Sequence, residues 1–148
     1  MYGQGGHLQT AESECYGGPG GNYADFLQNE NLSLVAVRGK AGNSLDSIQF
    51  LFVDTTNGQY VESPMYGGPG GDEYMFQAPP GQWINKVYIN YGNYVDAVVF
   101  ETNQGVKSQH IGGQGGHIKK AYETNGRIFG VKIRTGNLVD AFIFVVKQ

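Results

Sequence analysis

The chain has 148 residues, 40% of them hydrophobic and 16% charged, which is enough to bury a core and too apolar for a solvated tail. A formal charge of −3, with ten scattered lysines and arginines, provides no basic stripe to neutralise a phosphate backbone and argues against nucleic acid as a partner. The 24 glycines far exceed an average share but gather in short loops, which excludes a collagen-like or linker reading.

The N-terminus, Met1-Tyr2-Gly3-Gln4-Gly5-Gly6, has neither the basic nor the apolar segment of a secretory leader. The expected location is the cytoplasm, or outside the cell if a leader has been removed. Apolar runs such as Ala141 to Val146 are far too short to span a bilayer. Cys15 is the only cysteine, so it is either a free thiol or half of an interchain bridge. Asn31-Leu32-Ser33 fits the N-glycosylation acceptor pattern, which matters only in a secreted chain.

Along the chain, two motifs alternate three times. The first is Tyr16-Gly17-Gly18-Pro19-Gly20-Gly21. A strand with Val35 and Val37 on one face then leads to the second, Gly42-Asn43-Ser44-Leu45-Asp46, and Ile48 and Phe50 alternate beyond it. Thr56-Asn57-Gly58 reads as a hairpin turn, because Asn and Gly tolerate positive φ. The Gly loop returns as Tyr66-Gly67-Gly68-Pro69-Gly70-Gly71, followed by Val87 and Ile89, then Gly92-Asn93-Tyr94-Val95-Asp96, then Val98 and Phe100. Thr102-Asn103-Gln104-Gly105 is the second predicted hairpin turn. The third copy runs from Ile111-Gly112-Gly113-Gln114-Gly115-Gly116 through a third predicted hairpin turn, Thr124-Asn125-Gly126. Val131 and Ile133 then precede Gly136-Asn137-Leu138-Val139-Asp140, and Phe142 and Phe144 follow.

These spacings predict an all-β chain, 1–148, forming a single domain with repeats at about 16–65, 66–110 and 111–148. Glu12-Ser13-Glu14-Cys15-Tyr16 matches Glu62-Ser63-Pro64-Met65-Tyr66, so residues 1–15 are expected to supply the strand that the third repeat lacks. Three equivalent antiparallel sheets would then enclose one core built from Leu32, Val37, Ile48, Phe50, Ile84, Ile89, Val98, Phe100, Ile128, Ile133, Phe142 and Phe144.

The Gly-rich loop lets a second group approach bare main chain. A phosphate loop would need a following helix and a Gly-Lys-Ser/Thr, and neither is indicated. An Asp in a bend is commonly structural, but three copies at matched spacing from three Gly loops form a polyol receptor. The carboxylate accepts charge-assisted hydrogen bonds from neighbouring hydroxyls while amides donate. The repeated motif offers one carboxylate per copy, whereas a glycosidase needs a pair, so no enzyme is expected. His7, His110 and His117 do not recur in all three repeats, and no third ligand is spaced for zinc, so no metal or other cofactor is expected.

From about Tyr16 to Val146 the sequence resembles the jacalin-related lectins, whose fold is a β-prism of three Greek-key-like sheets with pseudo-three-fold symmetry. The resemblance implies that Asp46, Asp96 and Asp140 accept from sugar hydroxyls. The amides of Asn43 and Ser44, of Asn93 and Tyr94, and of Asn137 and Leu138 would donate, as would Gly21, Gly71 and Gly116 from the opposing loops. By likeness to a three-site algal member, Asp46 meets Gly71, Asp96 meets Gly116 and Asp140 meets Gly21. The galactose-binding branch resembles a form with a freed glycine terminus in its site. Here the first Gly loop lies inside the chain, which implies mannose- or glucose-type glycans. Weak single sites imply multivalent cross-linking and a homodimer, joined through Cys15 if the chain is secreted. The alternative is a structural or matrix protein that uses the β-prism without binding sugar.

Overall fold

The computed structural model describes residues 10–148, and every regular element in it is a β-strand. His7 and most of the segment expected to close the third sheet lie outside the described residues. Three short strands come first: β1 (Thr10–Glu12), β2 (Tyr16–Gly17) and β3 (Asn22–Phe26). A long hairpin follows, β4 (Leu32–Ala41) with β5 (Leu45–Asp54), then β6 (Tyr60–Glu62), β7 (Tyr66–Gly67) and β8 (Asp72–Gln77). The second hairpin is β9 (Ile84–Tyr91) with β10 (Val95–Thr102), trailed by β11 (Ile111–Gly112) and β12 (Ile118–Glu123). The third is β13 (Arg127–Thr135) with β14 (Val139–Lys147).

Each hairpin is the centre of one antiparallel sheet, and the three orders are β6-β5-β4-β8, β11-β10-β9-β12 and β1-β14-β13-β3. The strand after each Gly loop returns to lie beside the first strand of the preceding hairpin, which is a Greek-key path. The third sheet follows the same path across the chain ends: β1 pairs Thr10 with Lys147 and Glu12 with Val145, and β3 lies along β13. The chain therefore forms a β-prism of three sheets. Each sheet begins at a hairpin rather than at a Gly loop, so Gly loop and hairpin alternate sheet by sheet.

The core sits between the sheets. All twelve residues expected inside are at most 1% exposed, Val37 and Phe50 among them. Fully burying one Ile or Phe side chain stabilises by about 1.5–3 kcal/mol. Leu45, Val95 and Val139, each the residue before a motif Asp, are 0% exposed and hold the bends down. Tyr16, Tyr66 and Ile111 anchor the starts of the Gly loops in the same core. One serine device recurs three times. The Ser13 amide donates to the Phe144 carbonyl and its hydroxyl accepts from the Phe144 amide; Ser63 does the same with Phe50, and Ser108 with Phe100.

Two local expectations are corrected. A bulge between Leu34 and Ala36 turns Val35 out of register, so Leu34 joins Val37 in the core and Val35 is half-exposed. Thr124-Asn125-Gly126 is not a hairpin turn. It links two sheets, because β12 pairs with β9 while β13 pairs with β14 and β3. Gly126 is buried against the Lys147 carbonyl and lacks the positive φ that Gly58 (75°) and Gly105 (84°) adopt in the other two turns.

Candidate functional site

The three Gly-Asn bends fold alike. The Gly42 amide donates to the Ser44 carbonyl at 2.9 Å, Gly92 to Tyr94 at 3.0 Å and Gly136 to Leu138 at 3.0 Å. Asp46, Asp96 and Asp140 follow as the second residues of β5, β10 and β14. Each Gly loop then arches over such a bend, since its two flanking strands pair with the two strands of that hairpin. One amide fastens it: Gly68 donates to the Asp46 carbonyl at 2.9 Å, Gly113 to Asp96 at 3.0 Å and Gly18 to Asp140 at 2.9 Å.

The loop ends lie directly against the carboxylates. A Cβ at Gly70 or Gly71 would sit 2.9 or 2.7 Å from the Asp46 carboxylate oxygens. At Gly20 or Gly21 it would sit 2.7 or 2.6 Å from those of Asp140, and at Gly115 2.7 Å from Asp96. Any side chain would fill the space beside the acid. Gly21, Gly71 and Gly116 also hold φ of 76°, 86° and 96°, which favours glycine alone. A Cβ at any of the three would also meet main chain, of Thr135, Ala41, or Asn90 and Tyr91; at Gly116 no Asp96 atom is among the nearest, leaving Gly115 as the neighbour of Asp96. The amides of Gly21, Gly71 and Gly116 take no part in the bonds that fasten the loops.

The three places are not identical. Asn43, Asn93 and Asn137 are exposed, as is the Tyr94 ring, while Ser44 and Leu138 are half-buried. Asp140 is buried, and desolvation raises its pKa, offset by the Gly136 amide and the Arg134 guanidinium. Desolvation also raises Asp96, and nearby His117 opposes that shift. Arg134 donates to the carbonyls of Gly20 and Gly21, both at 3.0 Å, and so braces the first Gly loop alone. His110 meets the Gly113 carbonyl at 2.9 Å, within its own loop.

One relationship was not visible as a motif. The second glycine of each loop packs on the asparagine of a different bend: Gly18 on Asn93, Gly68 on Asn137 and Gly113 on Asn43. All six loops therefore meet at one end of the prism and interlock as a ring. The sequence signal was present in the invariant loop length, but the partner could be found only from the fold.

Three copies of one carboxylate beside a bare glycine main chain thus stand together at one end of a β-prism. Residues 13–145 match the jacalin-like lectin domain, and the chain belongs to that family of carbohydrate-binding proteins. A comparison with curated proteins found no match. Among solved structures, the fold is similar to that of AcmJRL, a mannose-binding jacalin-related lectin from Ananas comosus, with a TM-score of 0.81, 22% identity and coverage of 95% of this chain and 99% of that one. Artocarpin, a lectin with mannose specificity, gives 0.82, 22%, 95% and 99% for the same measures. Malaysian banana lectin gives 0.78, 21%, 94% and 99%.

Proposed function

We propose that this protein is a lectin for mannose- or glucose-type glycans, that residues 1–148 act as one lectin domain, and that it holds three sugar sites. The observation that carries this is the threefold placement of a bend carboxylate against the glycine end of an arching loop, at Gly20 and Gly21, at Gly70 and Gly71, and at Gly115. At each site the Asp46, Asp96 or Asp140 carboxylate accepts from two neighbouring sugar hydroxyls. Amides of the bend (Asn43 and Ser44, Asn93 and Tyr94, Asn137 and Leu138) and of the loop (Gly21, Gly71, Gly116) donate to the ring and its other oxygens. The first Gly loop follows continuous chain from β1, and artocarpin has been solved with methyl-α-mannose. Both support the mannose type over galactose.

A hydroxyl-reading site nets only about 1 kcal/mol per hydrogen bond, since each replaces one made to water. Useful strength therefore comes from several sites engaging one branched glycan, which raises avidity by roughly 10² to 10⁴. A homodimer doubles the sites, and exposed Cys15 offers a covalent link where the surroundings are oxidising. Sedimentation with and without reductant checks the dimer; a monomer under both conditions rejects it.

The central test is calorimetry with methyl mannoside on the Asp46→Ala, Asp96→Ala, Asp140→Ala triple variant. Each lost acceptor costs roughly 1.5–3 kcal/mol at its site, so binding vanishes while circular dichroism stays that of the parent. Native affinity in the folded triple variant overturns the assignment. Equal inhibition by methyl galactoside overturns the specificity.

A further inference from the structure

The pole of the prism opposite the Gly loops carries a second constellation. Ser33, Trp83 and Arg127 each stand nine residues before the glycine of their own bend, Gly42, Gly92 and Gly136. They are thus equivalent positions of the three repeats, yet they hold three different side chains. The fold brings them together. The Arg127 guanidinium stacks on the Trp83 ring, 3.5 Å from its centroid, and donates to the Ser33 hydroxyl at 3.3 Å. Beside them opens a cleft of about 360 Å³, with exposed Tyr60 and Gln77 and half-buried Gln82 on its walls.

Arg127 is the only charged residue lining this cleft. Burial lowers its pKa, so the cation is held at a desolvation cost, and no carboxylate among the described residues lies within salt-bridge distance to offset it. Stacking occupies the face of a guanidinium, and beyond the N–H given to Ser33 the edge keeps further donors for a planar or tetrahedral oxyanion. Exposed Tyr60 supplies an aromatic face of the kind on which a pyranose ring stacks, the edge of Trp83 adds apolar wall, and the two glutamines supply polar atoms for its hydroxyls.

We propose that this cleft is a separate binding site for an acidic saccharide, in which Arg127 takes the anionic group of a pyranose and Tyr60 and Trp83 flank the ring. The anionic group is a carboxylate, as in a uronic acid, or a sulfate ester. One chain would then hold neutral-sugar sites at one pole and an anionic-sugar site at the other, and would bridge two kinds of glycan.

The test uses the chain's single tryptophan, which lies in the cleft and reports on it alone. Methyl glucuronide, glucose 6-sulfate and methyl glucoside are titrated into the full chain while Trp83 fluorescence is followed. A saturable change with the glucuronide or the sulfate, but not with the neutral glucoside, supports the proposal, and the stronger of the two identifies the anionic group. The response is expected to persist in the triple Asp variant, which separates this site from the other three. Arg127→Gln, checked for fold by circular dichroism, should weaken it by about tenfold or more; Arg127→Lys retains part of it. No response from either anion, an equal response to the neutral sugar, or undiminished binding by folded Arg127→Gln overturns the proposal.

Discussion

Gly113 lies flat on the main chain of Asn43: a Cβ there would fall 2.2 Å from the Asn43 carbonyl oxygen. Gly113 belongs to the loop over Asp96, whereas Asn43 belongs to the bend of Asp46, so one glycine packs two of the proposed sites together. Gly113→Ala is therefore expected to weaken sugar binding at the Asp46 and Asp96 sites together and to spare the Asp140 site. By the same geometry Gly68→Ala affects the Asp46 and Asp140 sites, and Gly18→Ala the Asp140 and Asp96 sites. Crystals of each variant soaked in mannoside give the occupancies. Damage confined to the loop's own site rejects the interlocked ring.

The role proposed for Asp140 runs against stability. Its carboxyl is raised above the ordinary aspartate value by burial, so the folded protein holds this charge at a cost. That cost is present in full above the raised folded-state pKa and disappears below the unfolded value of about 3.9. Asp140→Asn removes the charge without changing the shape. It is expected to raise the melting temperature at pH 7, to lose that advantage below about pH 3.5, and to abolish sugar binding at its site at every pH. In the parent, sugar binding at the proposed Asp96 and Asp140 sites is expected to fade on acidification before an ordinary aspartate would protonate, because desolvation raises both. Thermal melts across pH check the first outcome, and a lower melting temperature for Asp140→Asn at pH 7 contradicts it.

Most of the frame was legible because it rests on short-range pattern. The alternation of Ile48 with Phe50, and of Phe142 with Phe144, marks buried strand faces wherever the period of two holds. Where a bulge breaks that period, as at Val35, counting alone fails. Thr124-Asn125-Gly126 misled for a related reason. A turn-forming composition says that the chain changes direction, not which sheet receives it, and here β9 and β14 compete for the neighbouring strands. The serine brackets at Ser13, Ser63 and Ser108 were only half visible, since Ser108 lies in a segment otherwise unlike the other two. For contacts between repeats, such as Gly18 with Asn93 or Arg127 with Trp83, the spacing marks equivalent positions but not which copy meets which, and that needed the folded geometry.

Arg134 distinguishes one site from its two counterparts. Lys40 and Asn90 occupy its place in the other hairpins, while Arg134 alone holds two loop carbonyls, those of Gly20 and Gly21. Its side chain thus fixes the loop whose last two glycines lie against Asp140. Arg134→Gln is expected to weaken the Asp140 site by roughly tenfold, in line with the loss of hydrogen bonds to a charged group, with the Asp46 site unchanged. Site-resolved amide shifts during a mannoside titration give both affinities. An equal loss at the two sites points to a general effect on the fold and rejects the brace.

The last prediction concerns the closing strand. β1 pairs with β14 through Thr10, Ala11 and Glu12, and Glu12 also reaches Lys132 on β13. β14 is the strand that carries Asp140, so the third site stands on a sheet completed from the other end of the chain. Deleting residues 1–12 removes β1 and the Glu12–Lys132 ion pair but keeps Ser13, whose two bonds to Phe144 hold the start of the first Gly loop. The backbone bonds lost contribute about 1 kcal/mol each, and the exposed ion pair adds less than that. The truncated chain is therefore expected to fold with a lower melting temperature. Its β14 edge, stripped of a partner beyond Phe144, frays toward the C-terminus and loosens the hairpin below Asp140. Sugar occupancy in soaked crystals should fall at the Asp140 and Gly21 site while the Asp46 and Asp96 sites stay filled. Equal occupancy at all three would show that β1 stabilises the sheet without tuning the site it helps to build.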